Sequence, residues 1–424
     1  MKEDLLHYIW SHQKLKPSKL FTTDGLPVII FRAGSHNHYS GPDFFNARIE
    51  IGGQLWAGNV ELHVKASDWY QHRHDSDSRY NNVILHVVWA YDRPVYTQNG
   101  SEIPAVELRR LIPQTLLRNY TELFKARKTF INCERRINEV PDFMVTHWLE
   151  RMFFERLEER TKGIYEELEH CNGDWEELFF RYLFKAMGTK VNAGYFYDLA
   201  RSLRLTLIRK VLVSGESLEA LLYGQANMLD SEHGESQYRR LQSEYRFLYR
   251  KYNLKKLPFH APEYFGLRPD NFPTIRLSQL AAMFRENQQL FDSVIRNKDL
   301  EKVRDSLFVQ GSFYWNDHYV FGKSTRRKYP KKLSRDTIDL LIINTVIPVK
   351  YAFYVQRGDD ASGMISEMSA TIRAERNSII QSFNRLGVKT DSSLESQGLL
   401  QLYHNYCNRN KCLQCAVGSK IISG

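Results

Sequence analysis

The sequence contains few cysteines and no long uninterrupted apolar segment. Its 424 residues include five cysteines, and three of these lie within nine positions near the C-terminus. This number and spacing argue against a disulfide framework, so we expect a cytoplasmic protein. The longest apolar candidate, residues 338–355, is interrupted by Asn344, Pro348 and Lys350, so we expect no transmembrane helix. The charged N-terminus also lacks the apolar segment of a secretory signal.

An excess of positive charge is absent from the first quarter of the chain. Residues 1–110 contain twelve Lys/Arg and twelve Asp/Glu, whereas the whole chain has a formal net charge of +10. The excess therefore lies in residues 111–424, and a polyanion such as nucleic acid is the expected partner. A solvated basic surface is the equally simple alternative.

The densest basic segment is residues 323–335, which contain seven cations and no acid. Such a segment suits phosphate contacts, and Tyr329 within it suits stacking on a nucleic-acid base. The predicted nucleic-acid-binding residues are Lys323, Arg326, Arg327, Lys328, Lys331 and Lys332. Because residues 1–110 are neutral overall, a nuclease would have to hold its substrate with the helical region.

The composition and the residue patterns predict an α+β protein. Hydrophobic residues make up 42% and aromatic residues 13% of the chain, and its length exceeds that of a single core. The pattern changes from strand-like to helical near residue 115. We therefore predict an α/β sheet domain at residues 1–115, followed by a mostly α-helical domain at residues 116–424 that contains the terminal cysteines.

In the first domain the alternation of apolar and polar residues predicts helix, three strands, helix and further strands. Gly52 and Gly53 separate the second and third strands and are typical of a hairpin turn. Ser67 is a plausible N-cap of the second helix. The predicted helices are residues 2–13 and 67–80, and the predicted strands are residues 28–31, 47–51, 60–65, 83–89 and 103–108.

The second domain is predicted to be helical throughout, with no repeat of fixed period. The segment of residues 257–273 contains four prolines and is interpreted as a connector. The predicted helices are residues 144–157, 174–187, 217–229, 235–252, 277–284, 336–356 and 365–385.

Two acids of the first domain form a candidate magnesium or manganese site. Asp43 starts the second long strand and Glu61 lies on the third, so a hairpin between these strands would bring them together. Paired carboxylates bind Mg²⁺ or Mn²⁺, which can activate a water and neutralise charge on a phosphodiester. On the third strand, His63 and Lys65 share the face of Glu61 and are candidate catalytic residues. Glu3 on the first helix is a possible accessory carboxylate.

Histidines are concentrated near this acidic pair. Six of the fourteen lie within 51 residues, at His36, His38, His63, His72, His74 and His86. If residues 67–80 form one helix, Asp68, His72 and Asp75 share a face and could reach the metal or a phosphate. The clustering favours a functional role for His63, whereas His86 is predicted to be structural. An alternative is a zinc site built from His72 and His74 with other members of the cluster.

These motifs support two resemblances. The order of Pro42-Asp43, a hairpin, Glu61-x-His63, a helix and a strand resembles the core of the PD-(D/E)XK nuclease superfamily, which implies a restriction-endonuclease-like sheet and metal ligands at Asp43 and Glu61. His63 occupies the position where that superfamily usually has lysine. Over nearly its whole length the chain also resembles a bacterial family called domain of unknown function 2851. That second resemblance is carried by residues 41–44, 58–63, 67–69, 80–88, 268–273 and the terminal cysteines.

The spacing Cys407-x4-Cys412-x2-Cys415 predicts a second metal site. Close thiolates can share one zinc ion or one [4Fe–4S] cluster, and either requires a fourth ligand. His404 would complete a local zinc site, whereas Cys133 would complete a long-range cluster similar to that of the iron–sulfur exonuclease branch of the nuclease superfamily. Three reduced cysteines without metal are the alternative. Cys171 is predicted to be a buried core residue.

Three functions are compatible with these patterns. The first is a divergent metal-dependent nuclease with Asp43 and Glu61 as ligands, assisted by His63 or Lys65, and with Asp68 and His72 as possible accessory residues. The second is a catalytically inactive nucleic-acid-binding or scaffold protein that keeps the nuclease fold. The third is a zinc-dependent hydrolase, which requires three ligands of the histidine cluster to converge.

Overall fold

A computed structural model describes residues 2–16, 19–125, 128–215, 217–258 and 261–424. The chain divides into two compact units. The first consists of Met1–Leu149, Asn377–Lys389 and Leu400–Gly424, and the second of Glu150–Arg376 and Thr390–Leu399. The predicted division after residue 115 falls inside the first unit, which also includes the segment with the three terminal cysteines.

The regular elements follow in chain order. The strands are β1 (Leu20–Phe21), β2 (Pro27–Arg32), β3 (Ser35–His36), β4 (Phe44–Ile51), β5 (Gln54–Lys65), β6 (Val83–Ala90), β7 (Ala105–Glu107), β8 (His318–Val320) and β9 (Lys323–Ser324). The helices are α1 (Glu3–Ser11), α2 (Asp68–Gln71), α3 (Gln114–Lys125), α4 (Asp142–His170), α5 (Trp175–Met187), α6 (Thr189–Val213), α7 (Leu218–Gln225), α8 (Ser236–Lys251), α9 (Pro273–Glu286), α10 (Leu300–Leu307), α11 (Arg335–Leu341), α12 (Ile347–Gln356), α13 (Ser362–Thr371), α14 (Ser378–Arg385), α15 (Ser393–Gln401) and α16 (Ala416–Ser423).

The first unit contains a seven-stranded mixed sheet. Its strand order is β1-β2-β4-β5-β6-β7, with β3 pairing β4. The pairs from β1 to β5 are antiparallel, whereas β5–β6 and β6–β7 are parallel. A mixed sheet followed by a largely helical region confirms the predicted α+β class. The five predicted strands are all present.

The hairpin between β4 and β5 sets the register of the central strands. Ile51 pairs with Gln54, which leaves Gly52 and Gly53 as a two-residue turn with φ of 59° and 87°. Two positive φ values in succession are typical of a type I′ turn and favour glycine. The same ladder pairs Phe44 with Val60, so Asp43 lies beside Glu61, as the sequence predicted.

Helix α1 packs its apolar stripe into the core of the first unit. Leu5, Leu6, Ile9 and Trp10 are fully buried, as their helical spacing predicts. The Trp10 indole N–H donates to the carbonyl of Ala33 at 3.0 Å, so its polar atom is satisfied inside the core. This helix therefore covers the sheet beside the strand that holds Glu61.

The predicted helix over residues 67–80 is wrong. Helix α2 ends after one turn because Arg73 adopts the left-handed conformation, with φ of 60°, and two short 3₁₀ turns follow. Ser67 is at the N-cap position but does not cap; its hydroxyl donates to Asp92 at 2.6 Å. Asp68, His72 and Asp75 consequently do not share a helical face, and the prediction that they do is wrong.

The second unit is largely helical, and polar side chains define where several helices begin. Asp174 accepts the backbone N–H groups of Glu176 and Glu177 at the start of α5. Ser217 and Asp299 cap α7 and α10 in the same way. Phe179, Phe180 and Phe184 of α5 are almost fully buried in its core. Cys171 is also buried there, which confirms the prediction made for it.

The predicted continuous helix over residues 365–385 is wrong. It is two helices, α13 and α14, because Ile372 is extended and Arg373 forms an isolated bridge with Ser392. The Asn377 side chain then accepts the N–H of Ile380 at 3.0 Å and starts α14. An asparagine in this position is a strong helix-start signal, but the apolar pattern that continues through residues 365–385 hides it.

The helical segment Arg335–Gln356 is long and strongly apolar. It consists of α11, a π-helical segment at Ile342–Val346 and α12. By length and composition alone it could cross a membrane, but 67% of its apolar window is buried inside the protein. Pro348 has no N–H for the carbonyl four residues earlier, which accounts for a widened turn at this point.

Lys350 on α12 should make the stability of the protein depend on alkaline pH. Burial lowers the pKa of Lys350 from 10.5 to about 8, because the ammonium loses its hydration. Between these values the unfolded chain binds more protons than the folded protein, so stability should rise with pH. Relative to Lys350→Met, the free energy of unfolding should increase by up to about 1.4 kcal/mol per pH unit from pH 8 to about 10.

Urea unfolding at a series of pH values measures this dependence. The matched control is Lys302→Met, because the Lys302 side chain is 70% exposed. That control should track the unmodified protein across the range. Parallel curves for Lys350→Met and the unmodified protein would contradict the assignment.

Candidate functional site

Asp43 and Glu61 are held together by reciprocal backbone hydrogen bonds. The Asp43 N–H donates to Glu61 Oε2, and the Leu62 N–H donates to Asp43 Oδ2, each at 2.9 Å. These bonds join the start of β4 to the middle of β5 and fix both carboxylates. Glu61 is only 4% exposed and the Asp43 side chain 22%, so Glu61 is buried and Asp43 is partly open to solvent.

The second oxygen of Glu61 points to histidines. Glu61 Oε1 lies 3.3 Å from His74 Nε2 and 3.7 Å from His63 Nε2. Burial, followed by the charge of Asp43, raises the pKa of Glu61 to about 9. A cation next to such a carboxyl would favour its charged form.

Three imidazoles converge beside this oxygen. His63, His72 and His74 each direct one ring nitrogen to a common point, and these atoms all lie within 4.8 Å of one another. His63 Nε2 is 3.1 Å from His72 Nδ1. His63 and His74 are buried whereas His72 is exposed, so the group opens to solvent on one side. Together with Glu61, these atoms form a donor set suited to a transition metal.

The end of the helix at Arg73 explains why His72 and His74 both reach this point. Residues two apart on a helix diverge by about 200°. The left-handed conformation of Arg73 reverses the backbone between them, and the His74 ring then stacks on Tyr80 with 3.8 Å between ring centroids. Sequence reasoning placed His72 on a helix and missed this geometry.

Two histidines of the sheet are kept neutral. Burial and the neighbouring histidines lower the pKa of His63 to about 2, and burial lowers the pKa of His86 to about 3. His63 Nδ1 lies 2.8 Å from His86 Nε2 across the β5–β6 pair. If His63 Nδ1 carries the proton and donates to His86, the lone pair of His63 Nε2 is free for a metal. His86 would then orient a ligand, which is a common arrangement around metal sites.

Helix α1 contributes two further polar residues. His7 Nε2 lies 3.2 Å from Asp43 Oδ2; burial opposes protonation, but Asp43, Glu3 and Asp4 raise the pKa of His7. Burial raises the pKa of Glu3, whose carboxyl also interacts electrostatically with His72 and Asp43. Glu3 is therefore near the site, as predicted. His7 was missed, although its position one helical turn after Glu3 was a usable signal.

The remaining predicted residues of the first unit lie around this centre. The His36 ring stacks on Phe44 and lies 5.1 Å from the His7 ring and 4.5 Å from the His38 ring, measured between centroids. Lys65 is exposed at the end of β5, and no ion pair joins it to Asp43 or Glu61 in the described ranges. The Asp68 carboxylate accepts the Lys65 backbone N–H at 2.8 Å, so Asp68 stabilises the strand end.

Most of the predicted basic segment is exposed on the second unit. Lys323, Arg326, Arg327, Lys328 and Lys332 are exposed, whereas Lys331 is 2% exposed. Lys331 Nζ lies over the Tyr329 and Tyr319 rings, at 3.4 and 3.8 Å, and 4.0 Å from Asp270. Tyr329 also donates its hydroxyl to Asp270 at 3.0 Å. Lys331 and Tyr329 therefore support the folded loop, and the other five predicted cations remain accessible to a polyanion.

The four cysteines Cys133, Cys407, Cys412 and Cys415 belong to the first unit and are free thiols. Burial raises the pKa of Cys133 and of Cys407, and the neighbouring thiols raise both further. Asn132 donates to Cys412 Sγ at 3.4 Å, and the N–H groups of Val417 and Gly418 hydrogen-bond Cys415. The thiols are thus electrostatic neighbours. Within the described residues, however, no three of them have Sγ atoms that all lie within 4.8 Å of one another.

A single tetrahedral zinc would require a tighter arrangement of these thiols. Zinc–sulfur bonds of about 2.3 Å place the sulfur atoms of a tetrahedral site less than about 4 Å apart. A polynuclear iron–sulfur cluster holds its thiolates farther apart, since each binds a different iron. His404, the predicted alternative ligand, is exposed, and its described ring contact is with Tyr403. Within the described residues, the thiols are therefore not grouped as closely as a single zinc ion would require.

The fold and these contacts define an α+β protein with a histidine- and carboxylate-lined candidate metal centre on its sheet. The chain belongs to the family described as "Protein of unknown function (DUF2851)", whose profile matches residues 3–378. This confirms the family resemblance but gives no support to the nuclease resemblance. The comparisons with curated proteins and with solved structures each gave no match.

The histidine group should bind a transition-metal ion. In calorimetric titrations of chelator-treated protein with Zn²⁺ or Mn²⁺, His72→Ala and His74→Ala should each weaken binding at least about tenfold, because each removes one ligand. His72 is exposed, so its replacement should leave the fold intact by circular dichroism. The matched control is His170→Ala, a 73% exposed histidine of the second unit. Equal affinities for all four proteins would rule out this site.

Proposed function

We propose that this protein is a metal-dependent hydrolase that cleaves phosphodiester bonds of nucleic acid, with its metal held by Glu61 together with His63, His72 and His74. The observation that supports this proposal is the convergence of three imidazole nitrogens, with Glu61 Oε1 3.7 Å from His63 Nε2 and 3.3 Å from His74 Nε2. Catalytic zinc sites combine histidine and glutamate ligands with an open position for water and can become five-coordinate. The exposed side at His72 would provide that position beside the four protein ligands. The third function considered from the sequence, a zinc-dependent hydrolase, requires such a convergence of three ligands from the histidine cluster.

The donor set favours Zn²⁺ or Mn²⁺ over Mg²⁺. Imidazole nitrogen is a good ligand for zinc, whereas magnesium prefers oxygen ligands throughout. Asp43 offers a nearby oxygen, although its Oδ2 already accepts the Leu62 N–H and lies against His7. A bound cation would also stabilise the ionised form of Glu61, whose pKa is raised in the buried pair.

Each residue of the centre has a definable role in this proposal. A metal held there would supply a water of lowered pKa and a positive charge next to a phosphate. Asp43 positions Glu61 through the backbone bonds, and His86 orients the His63 ring. His7 lies beside Asp43, which raises its pKa, and it is the proton donor in this proposal. His72, the exposed ligand, marks the side from which substrate would approach.

Two observations support nucleic acid as the substrate. The excess positive charge lies outside residues 1–110, and six exposed cations lie in the basic segment of the second unit. The order α1, β2, β4, β5, α2, β6 with Asp43 and Glu61 on neighbouring strands is also that of the PD-(D/E)XK nucleases. His63 replaces the usual lysine and acts as a metal ligand in this proposal, and Lys65 is not placed to substitute for that lysine.

A non-catalytic nucleic-acid-binding protein is the second candidate. Glu61 is 4% and His63 1% exposed, and such burial is typical of a metal that supports a fold. The two candidates differ in one measurable property, which is turnover of a phosphodiester in the presence of the metal.

We propose in addition that Cys133, Cys407, Cys412 and Cys415 hold an iron–sulfur cluster. Four thiols from two chain segments would supply the ligands, with Cys412 and Cys415 buried and Cys133 and Cys407 half-buried. The N–H groups of Val417 and Gly418 would stabilise a thiolate at Cys415. Such a cluster would fix the C-terminal segment to the segment before α4 within the first unit, which is a structural role.

Removing either acid should abolish metal-dependent cleavage. Glu61→Gln removes a charged ligand and Asp43→Asn removes its neighbour, so each should lower Zn²⁺- or Mn²⁺-dependent hydrolysis at least about 100-fold. The measurement is release of fragments from single- and double-stranded DNA and RNA, and of nitrophenol from bis(p-nitrophenyl) phosphate.

The matched control for this experiment is Asp75→Asn. Asp75 is an exposed acid of the segment that contains His72 and His74, and it should be dispensable for cleavage. Undiminished hydrolysis by Glu61→Gln would refute the proposed centre. Metal-dependent binding of nucleic acid by the unmodified protein, without any turnover, would establish the second candidate instead.

Anaerobically purified protein should contain iron and inorganic sulfide and show the broad visible absorption of an iron–sulfur cluster. Cys407→Ser should lose most of the iron, because each thiolate ligates one iron atom. Cys171→Ser is the matched control, since Cys171 is buried in the second unit and should not affect iron content. Zinc without iron, or iron retained in Cys407→Ser, would contradict the cluster.

A further inference from the structure

A large cavity opens within the second unit, far along the chain from the histidines and cysteines described above. Its volume is about 710 Å³, which is within the usual range for sites that bind small molecules. Side chains of α4, α5, α6, α9, α11 and α12 and of the π-helical segment line it. Neither the family description nor the proposed hydrolase function assigns a role to this cavity.

The cavity combines positive charge with an apolar wall. Arg160, Lys185, Lys190 and Arg276 line it, and no aspartate or glutamate is among its lining residues in the described chain. The apolar part is formed by Ile164, Ala186, Leu340, Leu341 and Pro348. Four cations without a lining acid are the usual composition of a site for an anion.

Arg276 is the most informative of these cations. It is 5% exposed, and its guanidinium donates only to the neutral side chains of Gln279 and Asn271. Its Nε has no hydrogen-bond partner, and no carboxylate forms an ion pair with it within the described ranges. Burial lowers the pKa of Arg276 to about 10 although the charge of Asp270 opposes this. A buried cation without a counter-ion is costly, and an anion in the cavity would stabilise it.

Asp270 does not supply that counter-ion. Its carboxylate accepts the Tyr329 hydroxyl at 3.0 Å and lies 4.0 Å from Lys331 Nζ. It lines a smaller neighbouring cavity rather than the large one. The buried Nε of Arg276 is therefore left without a partner, in a residue that lines the large cavity.

The backbone around the cavity has two unusual features. Thr189 adopts φ of 55° between α5 and α6, which is rare for a β-branched residue, and its buried hydroxyl oxygen has no partner in the described chain. The π-helical segment directs Asn344 and Thr345 into the same cavity, where Arg160 donates to Asn344 Oδ1 at 3.2 Å. Strained backbone and π-helical turns of this kind are enriched at ligand sites.

We propose that this cavity binds a small organic anion that joins a phosphate or phosphonate group to an apolar or aromatic moiety. Arg276 and Arg160 bind the phosphate oxygens through their guanidinium groups, and Thr189 donates its hydroxyl. Lys185 and Lys190 at the exposed rim add positive charge. The wall formed by Ile164, Leu341 and Pro348 receives the apolar part of the ligand. The proposal does not depend on the hydrolase function.

Three probes separate the contributions of charge and apolar surface. The full chain is titrated with 1-naphthylphosphonate, with the neutral 1-naphthol and with inorganic phosphate, and heat or naphthyl fluorescence is recorded. The phosphonate should bind at least tenfold more tightly than either of the other two. Arg276→Gln and Arg160→Gln should each weaken phosphonate binding at least tenfold and leave 1-naphthol binding unchanged.

The matched control is Arg285→Gln, which removes an arginine of α9 whose side chain is 57% exposed. It should bind the phosphonate as the unmodified protein does. If circular dichroism shows that Arg276→Gln does not fold, Ala193→Trp decides, because an indole at this lining position should block the cavity. Absence of saturable phosphonate binding, equal affinity for phosphonate and naphthol, or full binding by Ala193→Trp would overturn the proposal.

Discussion

The candidate centre depends on one reciprocal contact, in which Asp43 and Glu61 each accept a backbone N–H from the other's strand. These two bonds fix both carboxylates and hold that of Glu61 in a buried position with little access to water. They also determine which contacts each carboxylate oxygen makes. One oxygen of Glu61 is committed to the backbone, and the other is left to face His63 and His74. Without this pairing, Glu61, His63 and Lys65 would still share one face of β5, but the free oxygen of Glu61 would not be held towards His63 and His74.

This part of the site could be predicted because it follows from local rules. Alternation fixes which residues of β5 share a face, and the Gly52–Gly53 turn fixes the register between β4 and β5. Gly58 has a similar role on the other side of β5, because a Cβ there would lie 2.3 Å from the Ile84 side chain. Close approach of β5 to the neighbouring strand therefore requires glycine. The alternation and the turn each act over a few residues, so the sequence pattern carries them, whereas the contact of Gly58 with Ile84 joins two strands.

The rest of the site could not be predicted because it depends on a departure from regular structure and on distant chain segments. His72 and His74 converge only because Arg73 is left-handed, and arginine gives no sequence signal for that conformation. His7 reaches Asp43 through the packing of α1 on the sheet. The cysteines show the same limit: the spacing at residues 407–415 was visible, but the inclusion of that segment in the first unit follows from long-range packing.

Glu61 and Arg276 pose the same physical problem with opposite sign. Folding buries each of them with neutral hydrogen-bond partners and without a counter-ion that matches its charge. The pKa values record this cost, since that of Glu61 is raised to about 9 and that of Arg276 is lowered to about 10. A domain selected only for stability would do better with apolar residues at such positions, because a buried unpaired charge is less stable than a packed hydrophobic side chain. An external ion of the opposite charge removes the cost in both cases. The proposed cation beside Glu61 and the proposed anion beside Arg276 would each remove this cost within its own unit.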